Sequence, residues 1–174
     1  MANAERRCTE CGQAQQPFRR DVGYPESGLD NVQLLNVPVW VCSNGHQEVV
    51  IPAINELHEL LARMIIRKPA PLVGPEIKFL RRRVGLTAKD FAARIGLTPV
   101  RVSQLENTKN GFPKRIDLLF RLTFAALISA RDGKSFPNDL GHLLEQVEQA
   151  WDLGSHRIKH NENALPDQEW QIAA

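Results

Sequence analysis

The sequence predicts an α+β protein: a small β-rich N-terminal unit, an all-helical unit after it, and one extra helix towards the C-terminus. Three observations predict this. Residues 32–41 and 47–51 are rich in Val, Ile, Leu and Trp and lie between turn-forming stretches, the pattern of strands. From residue 53 onward apolar residues recur at three- and four-residue spacing, the period of helices. Between the two regimes, Lys68-Pro-Ala-Pro-Leu-Val-Gly-Pro75 combines residues that interrupt either element and marks a boundary.

The elements follow in order. Arg19 to Asn31 is rich in Gly, Pro, Ser and Asp and reads as loop. In the strand Val32–Val41, Pro38 lacks an N–H, so that strand is expected at an edge or a bulge. Residues 53–67 read as a helix with Ile54, Leu57, Leu60, Leu61, Met64 and Ile65 on one face. Residues 68–75 form a hinge, closing a first domain at 1–67. A short helix covers about 75–84 and a second starts at Thr87, turning Phe91, Ala92 and Ile95 inward until Gly96 stops it. Thr98-Pro99 sets an N-cap before proline at the first helical position and starts a third helix through Asn107. After a turn at Asn110–Pro113, a longer helix runs from about 114 to 131, with Ile116, Leu119, Phe120, Leu122, Thr123 and Leu127 apolar or nearly so, and Asp132-Gly133 ends it. A helical domain at 76–131 results. Residues 132–174 are an extension, with an amphipathic helix at about 137–152 through Leu140, Leu143, Leu144, Val147 and Trp151 and a polar, frayed tail.

At 174 residues and 19.6 kDa the chain has room for one ordinary domain or two small ones. No apolar run reaches the length of about 18 residues that a membrane helix needs, and MANAERRCTECG lacks a signal peptide's apolar stretch, so a cytoplasmic, nucleoid-associated protein is expected. The net charge of +2 conceals an asymmetry. Residues 1–71 hold 7 basic and 8 acidic side chains, residues 72–131 hold 12 and 4, and residues 132–174 hold 3 and 8. A middle segment of net +8 points to a polyanion-binding module, against the plainer reading of a solvated face.

Three cysteines cannot all pair, and two of them form Cys8-Thr-Glu-Cys11. With Cys42-Ser-Asn-Gly-His46, 30 residues on, they supply Cys8, Cys11, Cys42 and His46. Zn²⁺ takes four tetrahedral S/N ligands, and four protein ligands leave no open position, so one structural zinc is expected. A β unit of about 50 residues also needs such a staple. A redox Cys-x-x-Cys is the alternative, but no βαβ setting accompanies it. His58 is the alternative fourth ligand.

Gly85 to Asn107 has the logic of a helix-turn-helix. Phe91, Ala92 and Ile95 bury one helix against Val102 and Leu105 of the next, and Gly96 allows the left-handed turn between them. Val100, Arg101, Ser103 and Gln104 then face outward, as the side chains that would read bases in a major groove. Arg101 suits guanine, Gln104 adenine, and Val100 a thymine methyl. Thr87, Lys89 and Thr98 stand where helix N-termini meet phosphates, and Lys109, Lys114 and Arg115 border the next turn and would grip backbone.

On Thr98, Gln104, Leu105, Glu106 and Asn107, residues 75–131 resemble the XRE family of phage-repressor-like five-helix DNA-binding domains. The resemblance implies a structural ion pair between Arg81 and Glu106. It departs at Thr108, where that family usually has glycine, and Asn107 is expected to take a left-handed cap instead. Residues 8–131 as a whole look like the MqsA-type antitoxins, the YgiT-type zinc-finger/helix-turn-helix class. Cys8-x-x-Cys11, the 30-residue gap, Asn36-Val37-Pro38 before Cys42, the connecting helix and the XRE domain come in the same order. Two features depart: Cys-x₃-His in place of a second Cys-x-x-Cys, and some forty residues beyond the core.

That resemblance implies a type II toxin–antitoxin antitoxin. Its zinc domain would bind a small toxin of the mRNA interferase kind, and its helical domain would repress its own operon as a homodimer on a palindromic double-stranded operator. The dimer seam is expected at Phe120, Phe124, Leu127 and the helix at 137–152, unless these residues simply complete the core. The alternative is a stand-alone XRE-family regulator with a structural zinc module, of phage or mobile-element origin. An enzyme would need an open metal site or a nucleophile with a positioned base. His142, His156 and His160 have no cysteine or paired carboxylate beside them, although His156-x₃-His160 is helical spacing. Trp151, Trp170 and Ile172 offer a partner-docking reading of the tail, against a disordered solubilising one.

Overall fold

The computed structural model describes residues 6–133, 156–160 and 170–172. The helix expected at 137–152 lies outside them. Among the described residues no helix is long and apolar enough to cross a membrane. The chain divides into two compact units, one of 1–25, 30–57 and 155–174, the other of 26–29 and 58–154.

The first unit is a sheet built on one long strand. β1 (Gln15–Gly23) and β2 (Val32–Cys42) form an antiparallel hairpin, and β3 (Gln47–Val49) pairs with the far half of β2. The first part of the segment that reads as loop, residues 19–23, is therefore strand. Residues 15–21 are mostly polar and all exposed after Gln15, Phe18 included, so they carry no buried alternation; hydrogen bonding to the apolar β2 makes them a strand. β2 is not an edge strand. Its Pro38 is accommodated because the residue's carbonyl, accepting from Val50 N at 3.0 Å, faces the side where β3 pairing ends at Val39. On that side the next pairing starts only at Leu35, so no ladder bond is asked of the proline. A bulge does lie close by: the register shifts between Arg20 and Val22, Asn36 has φ 58°, and its N–H donates to Asp21 Oδ1 at 3.0 Å.

The tail is not simply frayed. β4 (His156–His160) adds in parallel to Val32–Leu35, and β5 (Trp170–Ile172) pairs antiparallel with β4. His156 and His160 lie on a strand, so their helical spacing has no helix to act on.

The unit boundary falls after Leu57, inside α1 (Ile54–Arg67). Leu57, Leu61, Ala62, Ile65 and Ile66 are its buried residues, while Ile54 is 45% exposed. The apolar face is thus rotated towards Ala62 and Ile66.

The second unit packs α2 (Gly74–Arg83), α3 (Ala88–Ile95), α4 (Pro99–Glu106) and α5 (Lys114–Asp132). Phe91 of α3 stacks on Phe124 of α5 at 5.0 Å and lies 6.0 Å from Phe120, whose ring meets Phe112 edge-on at 5.5 Å. Phe120 and Phe124 are therefore core, not a dimer seam. On α5 it is Leu119 and Leu122 that are exposed, at 47% and 38%.

The residues read as a hinge are pinned. Arg121, fully buried in the middle of α5, donates through Nε to Asp117 Oδ2 at 2.6 Å, through Nη1 to the carbonyls of Ile66 and Lys68 at 2.6 and 2.8 Å, and through Nη2 to Ala70 O at 2.6 Å. Asp117 in turn accepts the Leu72 N–H at 2.5 Å, and Leu72 O accepts from Phe112 N. The proline-rich stretch has no helix or sheet to satisfy its carbonyls, and one guanidinium satisfies two of them, those of Lys68 and Ala70, along with that of Ile66 near the end of α1. Replacing Arg121 with Leu strands Asp117 and those carbonyls in the core. Urea denaturation is expected to show a loss of about 3–5 kcal/mol, with Arg121→Lys intermediate because an ammonium cannot reproduce the fork.

Candidate functional site

The metal-ligand residues converge within the sheet unit. Cys8 and Cys11 come from the chain before β1. Gly12 N donates to Cys8 O at 2.9 Å and closes that turn, with Gly12 at φ 72°. Cys42 ends β2, and the second loop closes by Cys42 N to His46 O at 3.1 Å and Gly45 N to Cys42 O at 3.0 Å. The ligand atoms of Cys8, Cys11, Cys42 and His46 all lie within 4.8 Å of one another. Cys11 and Cys42 sulfurs are 3.7 Å apart, and Cys8 Sγ is 3.6 Å from His46 Nδ1. Tetrahedral zinc, with bonds of about 2.3 Å to sulfur and about 2.0–2.1 Å to nitrogen, requires edges of about 3.8 and 3.6 Å. The residues fit the ion.

The electrostatics agree. The Glu10 amide, foremost, holds the Cys8 thiol below its ordinary pKa. Burial pushes Cys42 up, but the amides of Asn44 and His46 help to outweigh it and the thiol is lowered. The Gln13 amide pulls Cys11 down, yet burial and the sulfurs of Cys8 and Cys42 win and raise it. Three crowded sulfurs that resist joint ionisation are what a divalent cation relieves. His58 stands elsewhere: it lies on α1, edge-on to Phe79 at 5.6 Å, and burial, with Arg83, lowers its pKa.

The second constellation lies in the helical unit. Thr87 caps α3 by accepting from Asp90 N at 3.1 Å, Gly96 ends it at φ 70°, and Thr98 caps α4 by accepting from Arg101 N at 3.2 Å. Val102 of α4 is buried, and Ile95 and Leu105 are half-buried. Val100, Arg101, Ser103 and Gln104 are all exposed, Val100 at 68%. Arg101 Nη1 donates to Gln104 Oε1 at 3.2 Å, which orders the two longest side chains of that face together. Lys89, Lys109, Lys114 and Arg115 are exposed as well. Thr87 fits a phosphate role poorly. Its hydroxyl donates to Asp90 Oδ2 at 2.6 Å, and that bond, first among its causes, keeps Asp90 below the usual carboxylate range and hence anionic. Thr98 has no such competitor among the described hydrogen bonds.

The pose of α4 is set from behind. Arg81 of α2 grips Glu106 with Nε to Oε1 at 2.5 Å and Nη2 to Oε2 at 2.9 Å, and its Nη1 donates to Leu86 O at 2.7 Å. Glu106, foremost, raises the Arg81 pKa. Gly74 donates to Thr108 O at 2.8 Å, and a Cβ there would lie 2.4 Å from Leu105 O. Sequence reasoning missed Gly74, whose only signal was its place beside Pro75 at a helix start. Asn107 does not take the left-handed cap: its φ is −97°. The carbonyls at the end of α4 are instead taken by Asn107 Nδ2, on Ser103 O at 2.8 Å, and by Thr108 Oγ1, on Gln104 O at 3.1 Å. Side-chain donors replace the glycine cap.

The chain matches the helix-turn-helix family over residues 77–110, the span that holds α3, α4 and most of α2. Residues 77–110 are a helix-turn-helix domain of the XRE type. No curated protein and no solved structure matches the chain. A domain of this kind supports binding to double-stranded DNA.

Metal titration of the full chain separates the two histidines. His46→Cys is expected to retain zinc, His46→Ala to lose at least tenfold in affinity, and His58→Ala to bind as the parent does. Chelation is expected to remove the sheet signal in circular dichroism while most helical signal persists; a single common transition would contradict this.

Proposed function

We propose that the protein is a sequence-specific transcriptional repressor acting as a type II antitoxin. The helix-turn-helix domain represses its own operon at a palindrome, and the Cys₃His unit, holding one structural zinc, binds a small toxin of the mRNA interferase kind. The observation that carries the DNA half is the exposed row Val100, Arg101, Ser103 and Gln104 on a helix braced by the Arg81–Glu106 pair. Arg101 and Gln104 present fork and amide groups that match guanine and adenine edges, each good pair being worth about 1–3 kcal/mol. Lys89, Thr98, Lys109, Lys114 and Arg115 would take phosphates, with Thr87 contributing less because Asp90 holds its hydroxyl.

A homodimer is part of the reading, because a short reading helix gains affinity by occupying two half-sites about 34–36 Å apart. With Phe120 and Phe124 in the core, the exposed Leu119 and Leu122 of α5 support a seam on its outer face. The toxin half rests on the resemblance of residues 8–131 to MqsA-type antitoxins. One observation favours the stand-alone regulator instead: β4 and β5, from the extension that departs from that class, complete the zinc unit's own sheet.

The two halves are tested separately. In binding titrations on the promoter of its own operon, Arg101→Ala is expected to relax preference at one base position. Lys109→Ala is expected to weaken all sequences alike and flatten the salt slope by about one. Identical behaviour of the two variants would refute the assignment of the reading helix. Co-expression with the product of the neighbouring gene decides between antitoxin and stand-alone regulator: the antitoxin forms a stoichiometric complex that suppresses its toxicity, the regulator forms none.

A further inference from the structure

We propose that His46 meets the metal through Nδ1 and that Glu10 is a positioning residue, its carboxylate accepting from the Nε2–H. This rests on the reading of Cys8, Cys11, Cys42 and His46 as a zinc centre. The two ring nitrogens of His46 face different neighbours. Nδ1 lies 3.6 Å from Cys8 Sγ, a ligand-to-ligand edge, while Nε2 lies 3.5 Å from Glu10 Oε2. A neutral imidazole has one lone pair and one N–H, and the partner of the second nitrogen decides which is which. A carboxylate at Nε2 favours the N–H there and leaves the Nδ1 lone pair for the metal. Ligating histidines commonly donate their other ring N–H to such a group, which fixes the ring and raises its basicity.

The loop agrees with Nδ1. Cys42 N to His46 O and Gly45 N to Cys42 O close the Cys42–His46 turn tightly. Nδ1 lies nearer the backbone than Nε2 and so stands in more closely for the Cys Sγ of a Cys-x-x-Cys turn. Glu10 is also placed by the metal loop itself. It sits between Cys8 and Cys11, and its backbone N–H points at Cys8 Sγ. One residue thus faces both partners of the Cys8–His46 edge, by its amide and by its carboxylate.

The Glu10 side chain is 69% exposed, so solvent screens its charge and the effect falls at the lower end of the usual 10–100-fold range for such partners, about tenfold in affinity. The test is a double-mutant cycle on the full chain, read by zinc competition and by cobalt(II) absorption. Glu10→Ala is expected to weaken cobalt and zinc about tenfold, with Glu10→Gln between it and the parent because the amide oxygen still accepts. In a His46→Cys background, Glu10→Ala is expected to have no effect, since no imidazole is left to orient. In the zinc-loaded parent, ¹⁵N spectra are expected to show His46 protonated at Nε2. Equal losses in both backgrounds, an unweakened Glu10→Ala, or zinc on Nε2 would overturn the assignment while the zinc centre stands. A parent chain that binds neither ion would overturn the zinc centre itself.

Discussion

The helical unit depends on the guanidinium of Arg121. It is fully buried, and its donors are taken by one carboxylate and three backbone carbonyls of residues 66–70. A proline-rich segment makes few hydrogen bonds of its own, and buried carbonyls left without donors are costly. Arg121 resolves both problems together. With Asp117 holding Leu72 N, it lays residues 66–72 against α5 and sets the point from which α2 departs. Gly74 then begins α2 in direct backbone contact with the end of α4. A chain of contacts therefore runs from a buried charge to the pose of α4.

The helix α4 keeps most of its surface turned to solvent. Its buried residues are few, Val102 and Glu106, with Leu105 half-buried, and the others are exposed. So short a helix contributes little packing, and its position is held by the bidentate Arg81–Glu106 pair and by Gly74. Polar bonds at its C-terminal end leave the N-terminal half, with Val100 and Arg101, unencumbered. The departure at Thr108 fits this scheme, because Thr108 and Asn107 satisfy the terminal carbonyls that a left-handed glycine would otherwise serve.

The sheet unit relies on a different device. Its strand β1 is exposed along most of its length and adds little to a core. Two tight loops bring three sulfurs and an imidazole to within bonding distance of one ion, and the backbone amides around them favour thiolates. Arg6 adds a local brace, pairing with Glu48 while lying over the Trp40 ring at 5.3 Å.

Local chemistry was enough to read the helix start at Thr87, the cap at Thr98, the left-handed turn at Gly96, the two metal-ligand-type loops and the outward face of α4. Each of these is settled within a few residues, by a hydroxyl's reach, a missing Cβ or the spacing of ligand-type side chains in a tight loop. Other features needed the third dimension. The strand at 15–23 has no apolar alternation, and pairing with β2 made it one. β4 became a strand by pairing with β2, more than a hundred residues away in sequence, and β5 by pairing with β4. Phe120 and Phe124 turned inward, and Leu119 and Leu122 outward, because Phe91 offered a ring to stack on. Arg121 reads as a surface charge in any helical pattern, and the prolines at 69, 71 and 75 read as a hinge. Bringing them together across some fifty residues put Arg121 in the core and pinned the proline-rich segment to it, since a buried charge is stable only where the fold supplies every partner it needs.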